Sequence, residues 1–197
     1  MKLTVSINLG GYPFNIDEDA YGELKGYLKS LERHFAGEES CSEIISDIEA
    51  RISEIFRTKL TTYKQVISIE DVLQAISVMG TPEDISEDDK KTTKEKFASP
   101  GYHRMYRDPE NSIIGGVCAG IGAYWDIEPL IVRIIFLALI FAGGMGALIY
   151  LILYIALPKA RTTAQRIEMH GEPVNIHNIK ETVKEEFNEV RKKMKFK

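Results

Sequence analysis

Residues 129–158 read PLIVRIIFLALIFAGGMGALIYLILYIALP, and this stretch decides how the rest of the chain is interpreted. No charged side chain occurs from Ile134 to Leu157. An apolar run of about 18 or more residues is long enough to cross a bilayer as a helix. No other segment of the chain could cover such a run in a water-soluble core. We therefore expect residues 129–158 to be embedded in a membrane rather than to form a buried core helix.

Glycines at the centre of this stretch leave two topologies open. Gly143 and Gly144 stand in the sequence AGGMGA, and glycine allows both kinks and close helix packing. One straight helix over residues 130–157 would be about 42 Å long, which exceeds a hydrocarbon core of about 30 Å. The stretch is therefore either a tilted or kinked single pass, which we favour, or a re-entrant hairpin. Basic residues flank both ends, so the positive-inside rule does not choose between them.

Four residues near the apolar stretch are candidates for membrane and helix packing. Gly116 and Gly120 have the GxxxG spacing that lets helix backbones approach closely in a membrane. Trp125 fits the headgroup level, where indole rings are favoured. Arg133 lies about one turn inside the boundary, from which its long side chain can reach lipid phosphates. We expect Arg133 to be an anchor, with an ion-pair switch as the alternative.

Residues 1–82 are expected to form a small α+β domain with the element order ββααα. Apolar and polar side chains alternate over residues 3–9 and again over 12–16, on either side of a Gly-Gly pair, which predicts a β-hairpin. Three segments with apolar residues every three or four positions follow, each preceded by an N-cap residue. Those N-cap residues are Asp17, Ser40 and Ser68. The predicted inward faces are Ala20, Leu24, Leu28, Leu31 and Phe35, then Ile45, Ile48, Ile52 and Ile55, then Val72, Ala75, Ile76 and Met79.

The charged residues 83–100 contain too few large apolar groups to order themselves, so we interpret them as a linker. Residues 159–197 form a C-terminal tail that contains an amphipathic helix. The apolar residues of this helix make one narrow seam, which includes Ile179, Val183, Phe187 and Val190. A short seam of this kind needs a partner, because an isolated helix of that length is marginal in water. A second copy of the chain is preferred, with the N-terminal domain and the bilayer surface as alternatives.

Composition and motifs argue against catalysis and nucleic-acid binding. The net charge is −4, so the chain lacks the basic footprint that nucleic-acid binding needs. Cys41 and Cys118 are too far apart in sequence to suggest a disulfide framework or a metal motif. The chain has no Gly-rich phosphate loop and no nucleophile elbow. We therefore expect no enzyme activity, no cofactor, no metal and no small-molecule substrate.

Two parts of the chain resemble known families. Residues 66–86 resemble the helical signalling modules that precede membrane segments in some bacterial regulators. The matching feature is an amphipathic helix that ends in the sequence Met-Gly-Thr-Pro-Glu-Asp. A longer stretch resembles the phage-shock-protein-C (PspC) domain family. The matching residues are Tyr106-Arg107, the sequence GGVCAGI at 115–121, Tyr124, Val132-Arg133 and the apolar run that closes at Pro158.

The PspC resemblance implies a bacterial inner-membrane protein that transmits envelope stress to a cytosolic or membrane regulator by protein–protein contact. It implies neither catalysis nor a cofactor. The expected architecture is the N-terminal ββααα domain, an all-α membrane-embedded domain over residues 101–158, and the C-terminal helix. The chain begins without the apolar core of a signal peptide, which predicts a cytoplasmic N-terminal domain. A structural membrane scaffold without a signalling role is the alternative function.

Overall fold

A computed structural model describes residues 3–82, 103–109, 112–141 and 143–195. The chain divides into two compact units. Unit 1 consists of Met1–Ser99 together with Val174–Lys197, and unit 2 is Pro100–Pro173. The residues expected to form the linker, 83–100, lie outside the described part of the chain.

Unit 1 begins with the predicted hairpin. Strand β1 (Thr4–Leu9) pairs antiparallel with β2 (Tyr12–Asp17), and the two glycines between them both adopt positive φ. A third strand, β3 (Val66–Ile67), pairs in parallel with β2 and gives the sheet order β1-β2-β3. The sequence pattern did not predict β3, because two residues carry too little alternation to indicate a strand.

Three helices of unit 1 follow the predicted order. They are α1 (Glu18–Phe35), α2 (Cys41–Lys59) and α3 (Ile69–Met79). Their buried faces are close to the predicted ones, except that Tyr27 replaces Leu28 on α1, Phe56 replaces Ile55 on α2, and Ile76 on α3 is only partly buried. The start of α3 is fixed by a capping box between Ser68 and Asp71, in which the side chain of each residue accepts a hydrogen bond from the backbone N–H of the other.

The described residues of unit 2 form four helices. They are α4 (Val117–Trp125), α5 (Pro129–Phe141), α6 (Met145–Ala156) and α7 (Thr163–Met169). An extended segment, residues 103–109, precedes α4 and forms a parallel bridge with the chain after α6, at Arg107 and Lys159. We call residues 103–109 the incoming segment and residues 158–160 the outgoing segment.

The prediction of an all-α membrane-embedded domain after the N-terminal ββααα domain is wrong, and residues 129–158 do not form the single pass that we favoured over a hairpin. Gly143 and Gly144 have φ of 139° and 77°, which a continuous α-helix cannot contain, so residues 129–158 form two helices of 13 and 12 residues. Within the ranges described above, no helix combines the length and the apolarity needed to traverse a bilayer. The observed class is α+β, with a β-hairpin at the N-terminal side and helices throughout.

The last helix, α8 (Ile176–Lys195), belongs to unit 1 and packs against α2. Ile176, Ile179 and Val183 on its inner face are almost fully buried. Ion pairs reinforce the packing, with Lys184 Nζ 2.7 Å from Glu38 Oε1 and Arg191 Nη1 3.1 Å from Glu39 Oε2. The fold of unit 1 thus includes residues from both sides of unit 2 in the sequence.

Candidate functional site: an apolar helical hairpin

Helices α5 and α6 pack against each other as an antiparallel pair, which we call the apolar hairpin. Gly146 makes the close approach possible, because a Cβ there would lie 2.8 Å from both the carbonyl oxygen of Phe136 and the amide nitrogen of Ile140. Further from the turn, the rings of Phe136 and Tyr150 meet edge to face at 5.6 Å. At the other end, Val132 shares a core cluster with Leu153 and Leu157. Contacts between α5 and α6 therefore continue from the turn to the opposite end of the apolar hairpin.

Most large apolar side chains of the apolar hairpin are exposed. They cover every side of each helix except the stripe that packs inside unit 2, which includes Val132 and Phe136 on α5 and Tyr150 and Leu153 on α6. The exposed residues are Leu130, Ile131, Ile134, Ile135, Leu137, Leu139, Ile140 and Phe141 on α5, and Met145, Leu148, Ile149, Leu151, Ile152, Tyr154 and Ile155 on α6. Soluble monomers rarely expose contiguous apolar patches larger than a few hundred Å², and larger patches mark sites that bind protein or membrane.

Arg107 holds the base of the apolar hairpin together. Its backbone N–H donates to the carbonyl of Pro158 at 2.8 Å, and its carbonyl accepts from the N–H of Ala160 at 2.9 Å. Its guanidinium Nε donates to the carbonyl oxygen of Leu157 at 2.9 Å, and the guanidinium lies over the ring of Tyr154. The incoming and outgoing segments are therefore joined by both backbone and side-chain contacts.

Gly116 and Gly120, the two glycines with GxxxG spacing, lie against the backbone of the incoming segment. A Cβ at Gly120 would collide with the carbonyl oxygen of Tyr106, and one at Gly116 would collide with the carbonyl of Asp108. Gly116 also has a φ of 80° and immediately precedes α4. The GxxxG spacing thus indicated close backbone approach, but the partner is an extended chain. Gly122, which the spacing did not single out, also has no room for a side chain, because a Cβ there would lie 2.6 Å from the carbonyl oxygen of Ile127.

Trp125 and Arg133 lie on either side of the turn from α4 into α5, Trp125 as the last residue of α4 and Arg133 in the second turn of α5. Trp125 ends α4 with its side chain largely exposed and in edge contact with Tyr124. Arg133 is half-buried and lines an open cleft of about 520 Å³ together with Asp108, Asp126 and Glu128.

Burial raises the pKa of the nearby Cys118 thiol, although the positive charge of Arg133 acts in the opposite direction. Cys118 is therefore a packing residue held in its neutral form at physiological pH.

A second cluster joins the incoming segment to α7. Tyr106 Oη donates to Glu168 Oε2 at 3.1 Å, and both residues are buried. His103 stacks on Tyr124 with ring centres 4.0 Å apart, and its Nε2 lies 2.8 Å from the carbonyl oxygen of Met169. Burial and the adjacent Glu168 carboxylate raise the pKa of the Tyr106 phenol. These contacts secure the incoming segment against α4 and α7.

The predicted C-terminal seam is divided between buried and exposed residues. Ile179 and Val183 are 0 % exposed inside unit 1, whereas Phe187 and Val190 are 36 % and 53 % exposed.

Gly143 and Gly144, at the turn of the apolar hairpin, have no atom within 4 Å of their Cβ positions, so they allow the turn and do not contribute to packing. Across the described residues, no group of three His, Cys, Asp or Glu side chains could hold a metal ion.

The geometry defines a small helical domain that presents an apolar hairpin and is fastened at its base by one arginine. Residues 103–160 match the family model of the PspC domain, which confirms the resemblance and identifies this part of the chain as a PspC domain. No curated protein and no solved structure matches the chain. The PspC domain suggests a phage-shock-type stress-response role, and its family is associated with bacterial membrane stress response.

Proposed function

We propose that this chain is a membrane-associated regulator of envelope stress that acts by protein–protein contact. In this proposal the apolar hairpin binds the lipid of the bacterial inner membrane, and unit 1 remains in the cytoplasm and binds a regulatory protein. The role is one of binding and not of catalysis. The observation that carries the proposal is the exposure of apolar side chains around both helices of the PspC domain.

The distribution of these side chains favours lipid over a protein groove. A helix that docks in a protein groove needs one apolar stripe, and its remaining faces are polar. On α5 the residues Ile134, Ile135 and Leu137 point in different directions, yet all three are exposed and apolar. From Ile134 to Leu157 no charged side chain interrupts the surface. A bilayer surrounds an inserted hairpin on all sides and so matches this pattern.

Residues at the base of the apolar hairpin suit the lipid headgroup region. Trp125 is 60 % exposed four residues before the first residue of α5. Indole rings are favoured at this level because one edge is polar and the body is apolar. Lys159 and Arg161 follow the hairpin directly, and cationic side chains there can bind lipid phosphates. The apolar hairpin is thus bordered by residues of the kind that anchor proteins at an interface.

Unit 1 offers a surface for the protein contact. The exposed half of the α8 seam, Phe187 and Val190, continues a row of side chains whose other half is buried against the domain. An exposed apolar surface that continues a packed one is better suited to contact with a protein than to exposure to water. Burial of Ile179 and Val183 holds α8 on this surface, and the ion pair between Lys184 and Glu38 lies beside them.

Vesicle flotation tests the membrane contact. The purified protein is diluted from mild detergent into phosphatidylglycerol–phosphatidylethanolamine liposomes, and the floating fraction is measured. The double variant Ile134→Glu/Ile152→Glu changes two side chains that are 58 % and 64 % exposed on the apolar hairpin. We expect it to lose at least ten-fold in vesicle binding, because two carboxylates are costly to bury in hydrocarbon. Equal flotation of this variant and the wild type would refute the proposal.

A matched control uses unit 1. Leu73 on α3 is 51 % exposed, so Leu73→Glu makes the same kind of change on a surface outside the apolar hairpin. We expect its flotation to equal that of the wild type. The signalling role is tested in cells by transcript profiling under envelope stress, with and without the protein. An unchanged transcriptional response in cells that lack it would favour the structural scaffold and contradict a regulatory role.

A further inference from the structure

We infer that the chain enters and leaves the bilayer on one face, so that the N-terminal part of unit 1 and helix α8 lie on the same side of the membrane. This inference rests on the proposed membrane contact of the apolar hairpin. It adds the topology, which the flanking charges do not determine. Three independent features of the described residues support it.

The first feature is the base of the apolar hairpin. The backbone of Arg107 bonds Pro158 and Ala160, so the incoming and outgoing segments are adjacent strands of one bridge. The Arg107 side chain adds a bond to Leu157 at the end of α6. A chain that crossed a bilayer between residues 107 and 158 would separate these groups by about 30 Å or more. The observed bridge instead brings the two ends of the PspC domain's apolar run to one point.

The second feature is the length of the helices and the state of the turn. At 1.5 Å per residue, 13 and 12 residues make arms of about 20 and 18 Å, so the turn lies within a hydrocarbon core of about 30 Å. Backbone groups at such a depth must be hydrogen-bonded. Gly144 N–H donates to Ile140 O at 2.8 Å, and Ala147 N–H donates to Gly144 O at 3.2 Å. The side chains of Phe141 and Met145 beside the turn are exposed and apolar. The turn is therefore suited to lipid.

The third feature is the membership of α8 in unit 1. Helix α8 follows the PspC domain in sequence, yet Ile179 and Val183 are 0 % exposed in the domain that residues 3–82 form. A single pass would place α8 across the membrane from α2. That arrangement would expose both side chains to water and would break the ion pair between Lys184 and Glu38. Burial of α8 in unit 1 requires the chain to return to the face from which it came.

Cysteine accessibility tests the topology in the full-length protein. In a Cys41→Ser/Cys118→Ala background, single cysteines are introduced as Tyr63→Cys in unit 1 and Glu185→Cys on α8, both exposed positions. A membrane-impermeant maleimide is applied to bacterial spheroplasts and to inverted inner-membrane vesicles. We expect both cysteines to react in inverted vesicles and neither to react in spheroplasts. Reaction of the two cysteines from opposite faces would overturn the inference.

A third cysteine probes the turn. Met145→Cys should be protected from the impermeant reagent on both faces and should react only after the membrane is dissolved in denaturing detergent, because the reaction needs a thiolate and hydrocarbon keeps the thiol protonated. Its labelling from the outer face would also overturn the inference. If Glu185→Cys fails to accumulate, an epitope appended after residue 197 and probed with protease supplies the same readout. Recovery of the protein in the soluble fraction would refute the proposed function as well, whereas opposite labelling of membrane-bound protein refutes the topology alone.

Discussion

The guanidinium carbon of Arg107 lies 4.1 Å from the centre of the Tyr154 ring, and its Nε donates to the carbonyl oxygen of the nearby Leu157. One side chain thus satisfies a carbonyl at the end of α6, which has no partner inside the helix. It also places a cation on an aromatic face, an arrangement that stabilises both groups. The closure of the apolar hairpin therefore depends on a residue that precedes it by more than twenty positions.

Replacing this arginine should loosen unit 2. We expect Arg107→Lys to lower its free energy of unfolding by about 1–2 kcal/mol, because an ammonium cannot stack on Tyr154 and donate to Leu157 with one planar group. Arg57→Lys is the control, since Arg57 lies over Tyr12 at 4.6 Å from an exposed position and should lose less than about 1 kcal/mol. Urea unfolding in mild detergent measures both. Equal losses would contradict the special role of Arg107.

Adding one methyl group should have opposite effects at two helical glycines. Gly120→Ala places a Cβ against the carbonyl of Tyr106 and should destabilise unit 2 by about 1–3 kcal/mol. Gly26→Ala on α1 meets no atom within 4 Å and should stabilise unit 1 by up to about 1 kcal/mol through helix propensity. Hydrogen exchange of peptides from each unit reports the two changes separately. A neutral Gly120→Ala would show that the incoming segment does not pack on α4.

The capping box of α3 should make unit 1 sensitive to acid. Burial acts to raise the pKa of the Asp71 carboxyl, but hydrogen bonds from Lys64 and Ser68 outweigh it and hold the pKa below its ordinary value of 3.8. A carboxyl whose pKa is lower in the folded state stabilises the fold above the unfolded-state pKa. This contribution is lost as the pH falls through 3.8 toward the lower folded-state value.

Asp71→Asn should therefore lower the stability of unit 1 at pH 7 by about 1–2 kcal/mol and flatten its dependence on pH below about 4. The measurement is the free energy of unfolding between pH 3 and 7. Glu70→Gln, at the exposed neighbouring position on the same turn, is the control and should retain the acid sensitivity. An unchanged pH profile in Asp71→Asn would show that another group controls acid unfolding.

One substitution at two positions of α8 separates its buried half from its exposed half. Val183→Ala removes two methyl groups from a side chain that is 0 % exposed and should cost about 2 kcal/mol. Val190→Ala changes a side chain that is 53 % exposed and should cost less than about 0.5 kcal/mol. Urea unfolding followed by far-UV circular dichroism compares them. Similar costs would mean that α8 does not pack on unit 1 in solution.

Local sequence patterns predicted unit 1 well. Alternation around Gly10-Gly11 indicated the hairpin, and Ser68 with Asp71 indicated the start of α3. The strand β3 was missed because its two residues are defined by pairing with Asn15 and Ile16, about fifty positions away. Periodicity also predicted the apolar face of α8, but it contains no information about which surface covers that face. Local periodicity records which side of a helix is apolar and not what lies against it.

The PspC domain was harder to derive from its residues. The apolar residues over 129–158 favoured a single pass over a hairpin, whereas the backbone at Gly143 and Gly144 turns the chain back. Gly146, which allows the two arms to pack, looks in sequence like any other residue of a glycine-rich centre. In the sequence, Arg107 stands out only as one residue of the PspC motif. Its role depends on the distant carbonyl of Leu157, and no local pattern encodes such a contact.

The placement of α8 against α2 has a consequence for biosynthesis. Translation proceeds from the N-terminus, so residues 3–82 leave the ribosome well before residues 176–195 exist. Until then the surface of α2 that receives Ile179 and Val183 has no cover, and uncovered apolar surface on a nascent chain is a target for chaperones. The PspC domain emerges during this interval. Unit 1, whose larger part precedes the PspC domain in the sequence, is therefore completed only after that domain has been synthesised.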